Sequence, residues 1–238
     1  MRIDGRENNQ LRPINFELDY LKFAKSSALV SYGDTKVIVT ASVEEGVPPF
    51  LEPEVSGWIT AEYGMLPASC SSNRIKRPGK TSSDGRTKEI QRLIGRSLRT
   101  VIDLESMPGI TVIIDCDVIQ GDGGTRTASI SGASFVCYDL FEKLKKEGLL
   151  EKNPLKELIG SVSVGIVENE YLLDLCYEED FKADVDMNVV MTESGKFVEI
   201  MASGEKNSFS KNDFFELLNL AENGINNIIN LQKKILSL

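Results

Sequence analysis

Residues 110–147 read ITVIIDCDVIQGDGGTRTASISGASFVCYDLFEKLKKE, and the rest of the chain is organised around this stretch. Residues 110–119 are a β-branched apolar run of the kind that forms a buried strand, and 127–147 carry Ile130, Ala133, Cys137, Leu140, Phe141 and Leu144 at helical spacing. Gly132 and Ala133 permit a close neighbour on the inner face of that helix. Between strand and helix, Asp122-Gly123-Gly124-Thr125-Arg126-Thr127-Ala128 places two glycines, a hydroxyl and a guanidinium where the helix begins. That is the chemistry of a phosphate site. Glycines let the backbone approach an anion, the first helical N–H groups and the helix dipole point at it, and Arg126 can donate two parallel hydrogen bonds. A plain Gly-Gly turn has the same local signature. Arg86, in Asp84-Gly85-Arg86-Thr87, is a second arginine that follows a glycine at the start of a predicted helix.

Working outward, residues 27–32 and 35–45 are strands of a hairpin about Gly33-Asp34, and 57–63 form a further strand. Residues 73–85 are polar, basic and rich in Ser, Gly and Pro, which predicts an exposed loop leading into a helix over 87–103. Ile90, Leu93, Ile94, Leu98 and Val101 form the inner face of that helix, while Lys88, Arg92, Arg96 and Arg99 fall within roughly 80° of one another on the other side. Arg86, near the middle of the apolar arc, is expected to point towards a cleft. After Asn153-Pro154, residues 158–167, 171–177, 185–192 and 196–200 read as strands, and a helix runs from 211 to 236. Sheet followed by helix in both halves predicts an α+β fold: mixed sheets with flanking helices in a pseudo-duplicated β-α arrangement, not a doubly wound parallel sheet. No composition shift divides the chain, so residues 1–238 are expected to form a single domain.

Composition narrows the chemistry. The chain has no histidine, which excludes Ser-His and Cys-His nucleophile pairs and histidine general bases. Its net charge of −9 argues against general binding of nucleic acid over the whole surface, so any polyanion must meet a local basic patch. That patch is Arg74, Lys76, Arg77 and Lys80 in the loop with Lys88, Arg92, Arg96 and Arg99 on the helix; the helix cations can alternatively serve a subunit interface. Four cysteines lack Cys-x-x-Cys spacing and suit reduced positions in a cytoplasmic protein. No apolar run is long enough for a membrane span, and the first residues carry no apolar leader core.

The segment from Asp174 to Asp186 holds six carboxylates, namely Asp174, Glu178, Glu179, Asp180, Asp184 and Asp186. Asp180 and Asp184 fit one face of a helical turn, and Asp186 precedes an apolar strand. Oxygen ligands of this kind suit magnesium, and a solvated acidic turn is the plainer alternative. Trp58 and Tyr63 could stack bases but suit a strand's core face better.

These residues and their order resemble the bacterial ribonuclease PH family from end to end. The resemblance rests on Met1-Arg2-Ile3-Asp4-Gly5-Arg6 with Leu11-Arg12-Pro13, Gly33-Asp34-Thr35-Lys36-Val37, and the run from Gly57-Trp58-Ile59 to Leu66-Pro67. It continues through Gly85-Arg86-Thr87 to Arg99, Asp115-Cys116-Asp117, the glycine turn, and Asp186-Met187-Asn188. It implies a ribonuclease PH-type fold and a phosphorolytic 3′→5′ exoribonuclease. Such an enzyme trims transfer RNA precursors with inorganic phosphate and releases nucleoside 5′-diphosphates from a hexameric ring, a trimer of dimers. Arg86, Gly124, Thr125 and Arg126 match the family's phosphate-binding positions, and Asp180 and Asp186 its catalytic, magnesium-associated aspartates. A catalytically silent RNA-binding ring subunit is the alternative. Three departures stand out: Cys176 at a usually acidic position, the altered segment 199–205, and a basic loop with Pro78 and about one residue fewer than usual.

Overall fold

Five strands of the first half form one mixed sheet in the computed structural model, which describes residues 2–52, 55–71 and 85–238. They are β1 (Ile14–Leu18), β2 (Ser26–Tyr32), β3 (Thr35–Glu45), β4 (Trp58–Met65) and β5 (Ile110–Gln120), in the spatial order β1-β2-β3-β5-β4. Neighbours are antiparallel except β4 and β5, which run parallel. A parallel pair needs a crossover, and the helix α1 (Gly85–Val101) lies within it. At the β2–β3 hairpin Tyr32 pairs with Thr35, so Gly33-Asp34 is a two-residue loop, and Gly33 takes the positive φ of +57° that such a loop demands.

The second half forms an antiparallel sheet ordered β7-β6-β8-β9 from β6 (Ile159–Val167), β7 (Glu170–Leu173), β8 (Val185–Thr192) and β9 (Phe197–Gly204). The short helix α3 (Tyr177–Lys182) links β7 to β8, and α4 (Lys211–Leu236) follows β9. α4 starts with a capping box in which Ser210 and Asp213 each accept the other's backbone N–H.

The helix α2 (Thr125–Lys146) packs against β2 and β3 on one side and β6 on the other. Its N-terminal two thirds are buried nearly all round, as a helix between two sheets must be. Gly132 allows this: a Cβ there would lie 2.7 Å from Val30 Cγ2 and 2.9 Å from Val39 Cγ2. The buried serines of α2 are consumed by neighbouring groups, Tyr32 Oη donating to Ser131 Oγ at 2.8 Å and the Ile159 amide to Ser134 Oγ at 3.0 Å. One contiguous apolar core runs through both halves. The mixed sheets, hairpins and flanking helices are those read from the sequence.

Some boundaries differ, each for a local reason. α1 begins at Gly85 and ends at Val101, because Ile102 bridges Leu155 and the Asp103 amide donates to Pro154 O, which diverts the backbone from helix. β7 stops at Leu173 instead of reaching 177, because Asp174 turns the chain at φ +56° and 177–182 coil into α3. Asp184 therefore does not share a helix face with Asp180. β1 escaped the sequence reading because it is a five-residue edge strand.

Candidate active site

The glycine turn is the first wall of the site. Gly123 and Gly124 take φ of +75° and +68°, the left-handed region that favours glycine. A Cβ on Gly123 would come within 2.5 Å of Leu175 O, so only glycine lets the turn lie against residues 175–177. The first intrahelical bond of α2 runs from the Ala128 amide to Gly124 O at 3.0 Å. The amides of Thr125, Arg126 and Thr127 thus have no intrahelical acceptor and make an anion nest at the positive end of the helix. Thr125 is buried and its hydroxyl accepts from Tyr63 Oη at 2.9 Å. Tyr63 is accordingly a core residue, as its strand position suggests.

Residues outside the turn hold it in shape. The Thr35 hydroxyl donates to Gly123 O at 2.5 Å and accepts from the Asp122 amide at 2.8 Å. Arg12 donates from Nη1 to Asp122 O at 2.5 Å, and from Nε and Nη2 to the two carboxylate oxygens of Asp174 at 3.0 and 2.7 Å. Arg12 and Asp174 are both buried, so this ion pair is a strut between the N-terminal segment, the turn and the start of α3.

The opposite wall is α3 with β8. Arg2 clasps Glu179 in a two-pronged pair at 2.8 and 2.6 Å and also donates to Leu173 O at 2.8 Å. Glu179 in turn accepts the Cys176 amide at 3.1 Å, which closes the start of α3. Cys176 is the helix N-cap, a position where an acidic side chain would cap better, and the Arg2–Glu179 clasp fastens the same turn. Of the six carboxylates in this segment, Asp174 and Glu179 are taken by arginines, and Asp184 accepts from Asn207 Nδ2 at 3.0 Å. Asp180, exposed on α3, and Asp186, half-buried on β8, are close enough for the one charge to act on the other.

Electrostatics place Arg86, Arg126, Asp180 and Asp186 in one field. Burial pushes the Asp180 carboxyl up, Arg86 and Arg126 pull it down, and Glu205 raises it. Asp186 is pushed up to about 6, first by burial and then by Asp180, against Arg126 and a hydrogen bond from Asn188 Nδ2 at 3.1 Å. Arg86 is exposed at the first turn of α1 and not tucked into its apolar face, yet it lies near enough for its charge to act on Asp180 and Tyr63. Arg126 is held through Nη1, 3.1 Å from Met201 Sδ and 3.6 Å from a Glu89 carboxylate oxygen. Its Nε and Nη2 have no partner among the described residues and remain open to an anion.

The buried Asp186 Oδ1 has no hydrogen-bond partner among the described residues. An orphaned carboxylate oxygen beside a second carboxylate fits a hard divalent cation. Among the described residues no cluster of three or more His, Cys, Asp or Glu could form a closed metal cage. Two carboxylates with substrate oxygens completing the sphere are the arrangement that magnesium favours.

The basic helix face divides. Arg99 donates from Nη1 to Ile59 O at 2.9 Å and lies 4.7 Å from the centre of the Trp58 ring, so it is a packing residue and not part of an outward stripe. Arg96 pairs with Glu199 at 2.7 Å, and Arg92 and Lys88 are exposed. Arg74, Lys76, Arg77 and Lys80 lie outside the described residues. Sequence reading gave no role to Arg2, Arg12, Thr35, Asp174 or Glu205, although each falls within a quoted motif or segment.

An anion nest and two guanidiniums close to a pair of carboxylates whose pKa values are raised define an enzyme of phosphoryl or nucleotidyl transfer. Residues 10–140 match the description "3′ exoribonuclease family, domain 1" and residues 157–224 "3′ exoribonuclease family, domain 2". The chain belongs to the 3′ exoribonuclease family. It is 52% identical over 237 residues to Ribonuclease PH of Bacillus subtilis (strain 168), covering 99% of this chain and 97% of that protein. The fold is shared with an Archaeoglobus fulgidus exosome structure with RNA bound to the active site, at a TM-score of 0.80 and 25% identity over 98% of this chain and 92% of that one. It is also shared with rice (Oryza sativa) Rrp46, at a TM-score of 0.78 and 22% identity over 99% of this chain and all of that one.

Proposed function

We propose that this protein is a phosphate-dependent 3′→5′ exoribonuclease that trims the 3′ ends of transfer RNA precursors and releases nucleoside 5′-diphosphates. The observation that carries the reading is the juxtaposition of the 125–127 nest, Arg86 and Arg126 with Asp180 and Asp186. Inorganic phosphate is already an anionic nucleophile, so positioning and charge neutralisation suffice without a histidine base. The nest, Thr125, Arg86 and Arg126 hold phosphate. Its oxygen attacks the phosphorus of the terminal phosphodiester, the bond to the 3′-oxygen of the preceding nucleotide breaks, and the RNA departs one nucleotide shorter with a free 3′-hydroxyl. Asp180 and the orphaned oxygen of Asp186 would hold magnesium, which when bound neutralises charge developing on the leaving oxygen.

The continuous apolar core supports treating residues 1–238 as one catalytic domain. Membership of the family, with the fold shared with an exosome structure, supports assembly into a homo-oligomer; the resemblance to ribonuclease PH implies a hexamer built as a trimer of dimers, and light scattering on the active protein tests it. Among the described residues no helix is long and apolar enough to cross a membrane, which agrees with a cytoplasmic enzyme.

The deciding experiment supplies a 3′-extended transfer RNA with magnesium, with and without phosphate. Nucleoside diphosphates released only with phosphate are expected. Monophosphates would indicate a metal-dependent hydrolase, and RNA binding without product a silent ring subunit. Arg126→Ala and Arg86→Ala should each cost roughly 2–4 kcal/mol of transition-state stabilisation, visible mainly as a raised phosphate KM with RNA affinity kept. Normal turnover at limiting phosphate in either variant would remove that arginine from the phosphate site.

The loop cations Arg74, Lys76, Arg77 and Lys80 are proposed to hold RNA phosphates, with exposed Arg92 as a further anchor. Replacing Arg74, Lys76 and Arg77 together should weaken RNA binding and flatten its log–log salt dependence by about 0.7–0.9 for each RNA phosphate that is no longer neutralised. An unchanged slope would move the tether to the helix face.

A further inference from the structure

Two exposed aromatic rings flank the reacting groups and have no part in the chemistry above. Tyr177 and Phe181 lie one turn apart on α3, with ring centroids 6.3 Å apart and planes inclined by 30°. Phe181 is 75% exposed and Tyr177 39% exposed, so the pair is displayed to solvent and not used to pin α3 down. Pinning is done by Arg2 and Glu179 on the inner side of the helix. Asp180 immediately precedes Phe181 in the chain. The Tyr177 amide donates to Asp122 Oδ1 at 3.3 Å, which sets the first ring beside the glycine turn. Phe181 O accepts from Lys206 Nζ at 3.4 Å, which ties the C-terminal end of α3 to the segment after β9.

We infer that Tyr177 and Phe181 form a stacking platform for nucleobases at the 3′ end of the RNA, a step that rests on the exoribonuclease reading. The base to be placed is joined to the ribose that carries the attacked phosphate, so it must lie against whatever borders Asp180, Arg86 and Arg126. Those groups hold the attacking phosphate and the metal that meet the terminal nucleotide, and the two exposed rings offer an apolar surface for its base. Stacking suits successive trimming because every base has a π face, so each new terminal residue is accepted whatever its identity.

The test uses RNA bearing 2-aminopurine at its 3′ end, whose fluorescence is quenched on stacking, with the full-length protein and its Tyr177→Ala, Phe181→Ala and Phe181→Trp variants. Phe181→Ala should raise the RNA KM by about 5- to 100-fold, leave the phosphate KM unchanged and reduce the quench, while Phe181→Trp restores both. An unchanged RNA KM and quench in an active Phe181→Ala protein overturns the platform alone. A changed assembly mass in that variant, with RNA affinity kept, overturns it in favour of an interface between copies of the chain. If the wild type releases no diphosphates yet quenches the probe in a Phe181-dependent manner, the platform stands and the phosphorolytic reading fails.

Discussion

Asp186→Asn should lower turnover by about 100- to 1,000-fold and at the same time make the metal-free protein harder to unfold at pH 8. Both effects have one cause. The Asp186 carboxylate is desolvated, faces Asp180, and leaves one oxygen without a partner, so its charge is costly until a cation or developing positive field meets it. Its pKa is about 6 in the folded protein against roughly 3.9 in the unfolded chain, so the native state binds this proton more tightly. Stability therefore falls as pH rises from about 4 through about 6, and above that the full cost remains, roughly 2–3 kcal/mol. Asparagine removes the charge. The variant should gain about 1–3 kcal/mol over the wild type at pH 8, with the gap closing towards pH 4. Thermal unfolding in chelator at the two pH values checks this, and added magnesium should raise the wild-type midpoint more than the variant's. Equal midpoints at pH 8 and equal responses to magnesium would show that Asp186 is neither strained nor a metal ligand.

This tension explains which parts of the site could be read from sequence. Gly123, Gly124 and Arg126 announce themselves because conformational freedom and charge sit together at a helix start, a local pattern. Asp180 and Asp186 are distinguishable from their four acidic neighbours only by what those neighbours touch. Asp174 meets Arg12 and Glu179 meets Arg2, partners 162 and 177 residues away, which no periodicity reports. Arg99 misleads for the same reason: its helical angle places it with Arg92 and Arg96, but the ring of Trp58 and Ile59 O draw its guanidinium inward. The sheets were legible where a face alternates or a run is apolar throughout, as in β3 and β5. The exchange of helix for strand after Asp174 was not, because a positive φ at a non-glycine residue leaves no mark in composition.

Arg12→Met should destabilise the protein by about 3–5 kcal/mol, although Arg12 touches neither phosphate nor RNA in the proposed reaction. Its guanidinium is the closer counter-charge to Asp174, which is wholly buried, and removing it strips two charge-assisted hydrogen bonds from that carboxylate, leaving it the backbone amide of residue 12 and the Arg6 guanidinium 3.6 Å away. The same substitution frees Asp122 O, so the glycine turn keeps Thr35 as its main clamp, with the Tyr177 amide on the Asp122 side chain. Two readouts separate these consequences. Adding Asp174→Asn should return much of the stability that Arg12→Met removes, since the under-compensated charge is gone. It should not return the phosphate KM, which is expected to stay raised because the amides of 125–127 are no longer held in place. A single variant that unfolds at the wild-type temperature would deny the strut. A double variant with wild-type phosphate affinity would show that the nest keeps its shape through Thr35 and the glycines alone, leaving Arg12 a purely structural partner of Asp174.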